Sequence, residues 1–288
     1  MQILRGKSHD LGGFAVRRML PAPQQRMVGP FIFFDHFGPA TLAPDVAMDV
    51  RPHPHIGLAT VTYLYEGAIM HRDSLGCAEE IRPGDINWMI AGGGIVHSER
   101  TPASLRGRSF ALHGLQCWLA LPDAHEDDAA EFFHYPASDL PQLDVAGARL
   151  RVLAGDAFGR RSPVKVHQPT LYVDVLMPAG SGIAVPEEHE ERAVYLLSGE
   201  LDIDGNALAA GEMALLRSGE CVLRATRDCL LVLLGGQRFG VPRHIWWNFV
   251  ASNRERIDRA GERWRNRDFP TVPGDEVEFI PLPEERSA

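Results

Sequence analysis

The sequence predicts an all-β chain made of two tandem β-barrels followed by a short C-terminal helix. Three observations predict it. Short apolar runs separated by Gly, Pro and Asp turns recur at 60–65, 86–90, 115–121, 171–176, 193–197 and 230–234, the rhythm of a sandwich or barrel. An internal repeat is visible: Thr62-Tyr63-Leu64-Tyr65-Glu66-Gly67 is echoed by Val194-Tyr195-Leu196-Leu197-Ser198-Gly199, and Pro83-Gly84-Asp85 by Ala210-Gly211-Glu212. The offset between echoes shifts by only a few residues, as a duplicated domain with a shortened second hairpin requires. Helical periodicity, finally, is scarce before residue 250.

In chain order, the first barrel is predicted over 1–135 and carries the candidate site. Pro, Ser, Asp and Gly cluster over 136–147, where the periodic pattern lapses, and mark a linker. The second barrel follows over 148–240, then a tail over 241–288. In the tail, Ser252 followed by Glu255 has the form of a capping box. Ile257, Ala260 and Trp264 share one face of a helix predicted over about 253–266, and its aromatic side is expected to pack against a barrel.

With 288 residues the chain accommodates two ordinary domains, and 45% hydrophobic with 23% charged residues is a soluble, globular composition. A net charge of −9 argues against direct nucleic-acid binding, which needs many phosphate-neutralising cations. The basic run over 254–267 is interleaved with Glu255, Asp258 and Glu262 and reads as a solvated helix face. The N-terminal stretch lacks the apolar core of a signal peptide, and no run approaches the about 20 apolar residues of a membrane span. A cytoplasmic location without membrane contact is expected. Cys77, Cys117, Cys221 and Cys229 form no CxxC pair and fit reduced structural thiols, with Cys77 in a packed turn.

The chemistry concentrates in two doublets. In His53-Pro54-His55, side chains two apart on a strand share a face. Pro54 lacks a ladder donor and belongs at a strand start or edge. His97-Ser98-Glu99 has the same spacing and follows Gly92-Gly93-Gly94, where the backbone can turn sharply. On neighbouring antiparallel strands, opposed Cβ atoms lie about 4.5–5.5 Å apart, so three imidazoles and a carboxylate could reach one ion. Spacing alone also allows ordinary core or surface histidines, and a four-ligand N/O set suits iron, manganese, nickel, copper or zinc alike. Overlaying the repeat puts Glu187 at the His55 position and Arg224 at the His97 position. The second barrel therefore lacks the set, and the loop around His189 reads as acidic and solvated. His36 is expected in the core or behind a ligand, and His113 and Gln116 as groups orienting a ligand or substrate. His71, His125 and His134 are expected at the surface or in turns. No GxGxxG-then-helix, GxxxxGK[ST] or GxSxG motif is present.

The stretch from His53 to Glu99 resembles the cupin pattern: a His doublet, a strand ending in Glu-Gly, a Pro-Gly-Asp turn and Gly-x-x-His. More narrowly, it is similar to the pirin family of bicupins. The resemblance is carried by 29–39 (Gly-Pro-Phe-Ile-Phe-Phe-Asp-His-Phe-Gly-Pro), 51–57 (Arg-Pro-His-Pro-His-Ile-Gly) and 71–74 (His-Arg-Asp-Ser). It continues through Arg82-Pro83-Gly84-Asp85, Trp88-Met89, 94–99 (Gly-Ile-Val-His-Ser-Glu) and 112–116 (Leu-His-Gly-Leu-Gln). It is strongest over 25–122 and collinear through the second half. Ile90, Cys77 and Asn87 depart from the residues common in the family; none is a ligand, but each touches substrate identity.

The resemblance implies two jelly-roll-like cupin barrels and one divalent transition metal, iron(II) foremost with manganese, nickel, copper and zinc as alternatives, held by His53, His55, His97 and Glu99. It implies a dioxygenase that opens the heterocyclic ring of quercetin-type flavonols with dioxygen and releases carbon monoxide. Glu99 would double as the catalytic base toward the flavonol 3-hydroxyl. The same family implies an alternative, a regulatory binding protein whose metal state governs docking to a transcription cofactor or a metabolic enzyme. A purely structural metal is the third reading, and it predicts unfolding of the first barrel on metal removal.

Overall fold

The fold is taken from a computed structural model that describes residues 1–10 and 15–284. About half of the chain lies in strands, paired antiparallel, and the described residues contain one α-helix, Arg254–Arg265. No helix among the described residues is long and apolar enough to cross a membrane.

Two compact units interleave along the sequence: Met1–Ser8, Arg17–Phe34 and Ser138–Phe239 form one, and His9–Val16, Asp35–Ala137 and Gly240–Ala288 the other. The sequence-based boundaries differ in four places, one being Arg17–Phe34, assigned from sequence to the first barrel but grouped with the residues of the second. The strand Gln2–Arg5, assigned from sequence to the first barrel, pairs with Glu212–Leu215 in the second. Residues 136–147, expected as a linker, contain the strand Gln142–Val145, which hairpins onto Ala148–Ala157; the turn-forming residues there close a hairpin as well as ending a domain. The tail from Gly240 groups with the first barrel.

In the second-barrel unit, a large sheet ordered Gln2–Arg5, Glu212–Leu215, Glu191–Ser198, Cys229–Gly236, Thr170–Met177, Ala148–Ala157, Gln142–Val145 is accompanied by a four-stranded sheet. Val173, Val175, Val194, Leu231 and Leu233 of the former pack with Ile183, Leu201, Ile203 and Leu223 of the latter in one buried cluster. Alternating apolar residues fill the space between two facing sheets.

The first-barrel unit has a four-stranded sheet ordered Asp49–His55, Ile95–Arg100, Ile69–Asp73, Ala78–Ile81. Its partner sheet contains, in order, Glu131–Tyr135, Ile86–Ile90, Leu58–Glu66, Phe110–Ala120 and Phe31–Leu42. Phe37, Leu64 and Leu112 of this sheet pack with Ile69 and Ile81 of the smaller one and close one end of the barrel. The run 58–64, Leu-Ala-Thr-Val-Thr-Tyr-Leu, is buried at every position, as a strand covered on both faces must be. Asp49–His55 is an edge strand of the small sheet, where Pro54 deprives no neighbour of a ladder bond.

Two glycines bring the site-bearing strands back on themselves. Gly57 has φ +65° with the Val250 carbonyl 2.0 Å from where a Cβ would stand, and Gly92 has φ +48° with the Asp128 carbonyl equally close. Any side chain at either position meets backbone and must adopt a left-handed conformation.

The helix begins one residue later than the capping-box reading. Asn253 is the N-cap, its side chain accepting from the Arg256 N–H, while Ser252 N–H and Oγ donate to the buried Glu126 carboxylate. Ile257 and Ala260 are buried and Trp264 is half-buried on the predicted face. They pack with Phe249, Phe269 and Val272 against Ile56 and Val96 on the outer side of the small sheet.

Candidate metal centre

Register brings the two doublets together. His97 lies directly opposite His53, and Ile95 opposite His55, on the Asp49–His55 and Ile95–Arg100 strands. The pairing slips between His97 and Glu99, which faces Val50. This bulge gives the Asp49–His55 strand an extra residue and re-aims the side chains beside it. The ring centroids stand 4.4 Å apart for His53 and His97 and 5.0 Å apart for the other two pairs. One nitrogen from each of His53, His55 and His97 falls within 4.8 Å of the other two, and all three residues are buried.

Their outer nitrogens are accounted for. His53 Nδ1 lies 2.8 Å from the Arg51 carbonyl, at the bulge, and His55 Nδ1 3.1 Å from the Asn248 carbonyl. A carbonyl only accepts, so each Nδ1 carries the proton and each Nε2 presents a lone pair. His55 Nε2 faces His97 Nε2 at 3.1 Å. Two nitrogens bound to one ion at about 2.1 Å stand about 3.0–3.4 Å apart, so the spacing fits a shared metal. Burial pushes the His53 pKa down to about 4, against the backbone bond that raises it, and drives those of His55 and His97 well below the ordinary range. All three rings are therefore neutral at pH 7, the form that coordinates.

Glu99 is placed differently. It lies outside the imidazole cluster whose ligand atoms are mutually within 4.8 Å, but it is buried in the same barrel interior, one strand position beyond Ser98. Thr62, from the opposite sheet, donates to its Oε1 at 3.1 Å. Thr62 Oγ1 also lies 2.9 Å from Gln116 Oε1, and the two residues are register partners. Burial raises the Glu99 pKa, opposed in order by His71, Thr62 and Gln116. Trp118 stands edge-on to His55 at 5.0 Å and completes this wall.

Several expectations need correction. His71 was expected at the surface or in a turn but is buried, 4% exposed, with its ring stacked on Phe132 at 4.3 Å and facing His97. Its spacing to Asp73 matches that of the two doublets, but it is the register, Glu99 opposite His71 and His97 opposite Asp73, that brings it in. His134 is a half-buried strand residue bonded to Asn87, whereas His125 occupies a short 3-10 turn. Gln116 reaches Glu99, but His113 pairs with His36, Nε2 to Nε2 at 2.9 Å, apart from the three ligand-like rings. In the second barrel, Glu187, Glu188 and Glu190 are exposed as expected, yet His189 is buried and bonded to the Asp156 carbonyl. Arg224 is exposed. The Asn248 carbonyl was also invisible from sequence, since a backbone acceptor has no residue signature.

Comparison with known proteins places this geometry in context. The Pirin family model matches residues 13–119, and the Pirin C-terminal cupin domain matches residues 172–270. A pirin-like protein of Caulobacter vibrioides is 44% identical over 98% of this chain and 99% of its own length. A Pseudomonas aeruginosa protein provisionally named quercetin 2,3-dioxygenase is 39% identical over 89% of this chain and 81% of its own. The crystal structure of quercetin 2,3-dioxygenase from Acinetobacter baumannii superposes with a TM-score of 0.92 at 35% identity, covering 100% of this chain and 96% of that one. With both barrels matched in order and the His doublets set in the first, the chain belongs to the pirin family of bicupins.

Proposed function

We propose that this protein is a metal-dependent dioxygenase that cleaves quercetin-type flavonols with dioxygen and releases carbon monoxide, using one divalent transition metal, iron(II) foremost, held by His53, His55, His97 and Glu99. The observation that carries the reading is the set of three buried, neutral imidazoles, two of them with a backbone acceptor at Nδ1 that leaves Nε2 to present a lone pair, beside a buried carboxylate. The names of the Pseudomonas and Acinetobacter relatives support the substrate class. When bound, the ion supplies Lewis acidity toward the flavonol 3-oxygen and a place for dioxygen beside it.

The chain's own residues do the rest. The backbone acceptors on His53 and His55 fix both rings before any ligand arrives, so little ordering is needed on binding. Glu99 takes the proton of the flavonol 3-hydroxyl, as a buried carboxylate beside the three imidazoles is placed to do. Thr62 and Gln116 hold that carboxylate from the opposite sheet and set where the proton goes. Trp118 and the buried Thr60 and Thr62 help keep water from the interior.

The test is aerobic turnover of quercetin by protein loaded separately with iron, manganese, nickel, copper and zinc, with carbon monoxide measured in the headspace. Carbon monoxide from at least one loaded form is expected. Silence from all of them overturns the enzyme reading in favour of a metal-dependent binding protein acting on a protein partner, a reading compatible with the Caulobacter relative's name, which states no activity.

A further inference from the structure

Resting on the metal reading above, we propose that His71, anchored by Asp73, is a positioning residue that sets the tautomer and orientation of His97. The three rings are not held alike. His53 and His55 donate to backbone carbonyls, whose direction the strand fixes. His97 alone turns its Nδ1 toward another side chain, His71 Nδ1, at 3.5 Å.

The proton positions follow from the far end of this chain of contacts. Asp73 is fully buried, and its Oδ1 accepts from the Leu75 and Cys77 amides in the turn that ends its strand. Its Oδ2 lies 2.9 Å from His71 Nε2. A carboxylate accepts, so His71 carries its proton on Nε2 and offers a lone pair at Nδ1. That lone pair receives the proton of His97 Nδ1, which leaves His97 Nε2 bare and aimed at His55 Nε2, 3.1 Å away. Phe132, stacked flat on His71 at 12° between planes, holds the ring in this orientation. A ligand whose outer partner is a side chain can be retuned by substitution, whereas the other two cannot.

Two substitutions separate this from a packing role. Asp73→Asn keeps the oxygen that the turn amides need but replaces the acceptor facing His71 with an N–H donor. His71 is then protonated on Nδ1, and two N–H groups oppose each other at His97. His71→Phe keeps the stack on Phe132 and removes the acceptor, while His71→Gln restores an acceptor of similar reach. The probe is copper(II): its affinity is measured by chelator competition, and its electron spin-echo modulation reports the outer nitrogen of each bound imidazole.

Asp73→Asn and His71→Phe are each expected to weaken copper(II) binding by about 10- to 100-fold and to alter the signal of one imidazole of three. His71→Gln is expected to stay within a few-fold of the parent, and thermal melts of the metal-free variants control for folding. Parent-like affinity and modulation in both Asp73→Asn and His71→Phe overturn the inference, as does a His71→Gln variant no better than His71→Phe. Loss of binding in His53→Ala with none in Asp73→Asn and His71→Phe sinks only the role of His71. Equal binding by the parent and His53→Ala sinks the metal reading, and this inference with it.

Discussion

Burying three imidazoles side by side fixes their charge and makes acid the natural antagonist of the site. In the unfolded chain a histidine takes up its proton near pH 6.5, whereas His53 in the fold holds out to about 4, with His55 and His97 shifted in the same direction. Between those values the unfolded state binds more protons. The contribution is therefore complete above pH 6.5 and is lost as pH falls toward 4. At about 1.4 kcal/mol per unit, His53 alone accounts for about 3 kcal/mol. Denaturant midpoints of the metal-free protein should fall steeply from about pH 7 to about pH 4.5, and a flat profile would refute the assignment of neutral rings. Glu99→Gln should lower turnover more than metal content, read by activity and elemental analysis on the same sample; equal loss makes Glu99 a ligand and nothing more. Thr62→Val keeps the shape but strands Glu99 and Gln116 without their shared hydroxyl. It should cost about 1–3 kcal/mol in chemical denaturation. The four proposed ligands were legible because period-two spacing puts both members of a doublet on one face. His71 was not, since the same spacing in His71-Arg72-Asp73 does not say which face the pair takes, and its burial comes from Phe132 and a neighbouring strand.

At the level of elements, the site depends on a bulged edge strand braced from outside. Arg100 bonds Asp275 through two nitrogens and reaches Glu278, which ties the tail to the Ile95–Arg100 strand. Ile280 N–H donates to the Pro52 carbonyl on the other site-bearing strand. Phe249, fully buried, seats the segment that offers Asn248 to His55. Phe249→Ala should cost about 3–5 kcal/mol and should also weaken metal retention, measured by dialysis against a chelator; a stability loss with unchanged retention would show that Asn248 does not need this anchor. The helix, its buried face and the strand rhythm could be read from the chain because each is a local pattern. The pairing of Gln2–Arg5 with Glu212–Leu215 could not, because partner choice between distant edges leaves no trace in either segment. The cap moved from Ser252 to Asn253 for a similar reason: Glu126, remote in sequence, captures both Ser252 donors.

Across the whole molecule, duplication produced two barrels, and only the first has the doublets. Metal content should saturate at one ion per chain, and removal should leave both barrels folded. The far-UV spectrum of the chelated protein should match the loaded form, with a lower melting temperature because the ion binds only the folded state. Collapse of the first barrel on chelation would make the metal structural. The repeat was legible as a repeat, but the sequence overlay that set Glu187 and Arg224 against His55 and His97 is not kept by the fold: Glu187 lies in a bend after the strand Gly182–Ala184, and both residues are exposed. The contact between His55 and Asn248 links residues separated by 193 positions. During synthesis, all four proposed ligands leave the ribosome while the carbonyl that orients one of them has yet to be made. On the proposed assignment, full competence to take up an ion is thus a property of the finished polypeptide, and a chain stalled or truncated before residue 248 carries all four proposed ligands without the carbonyl that orients His55.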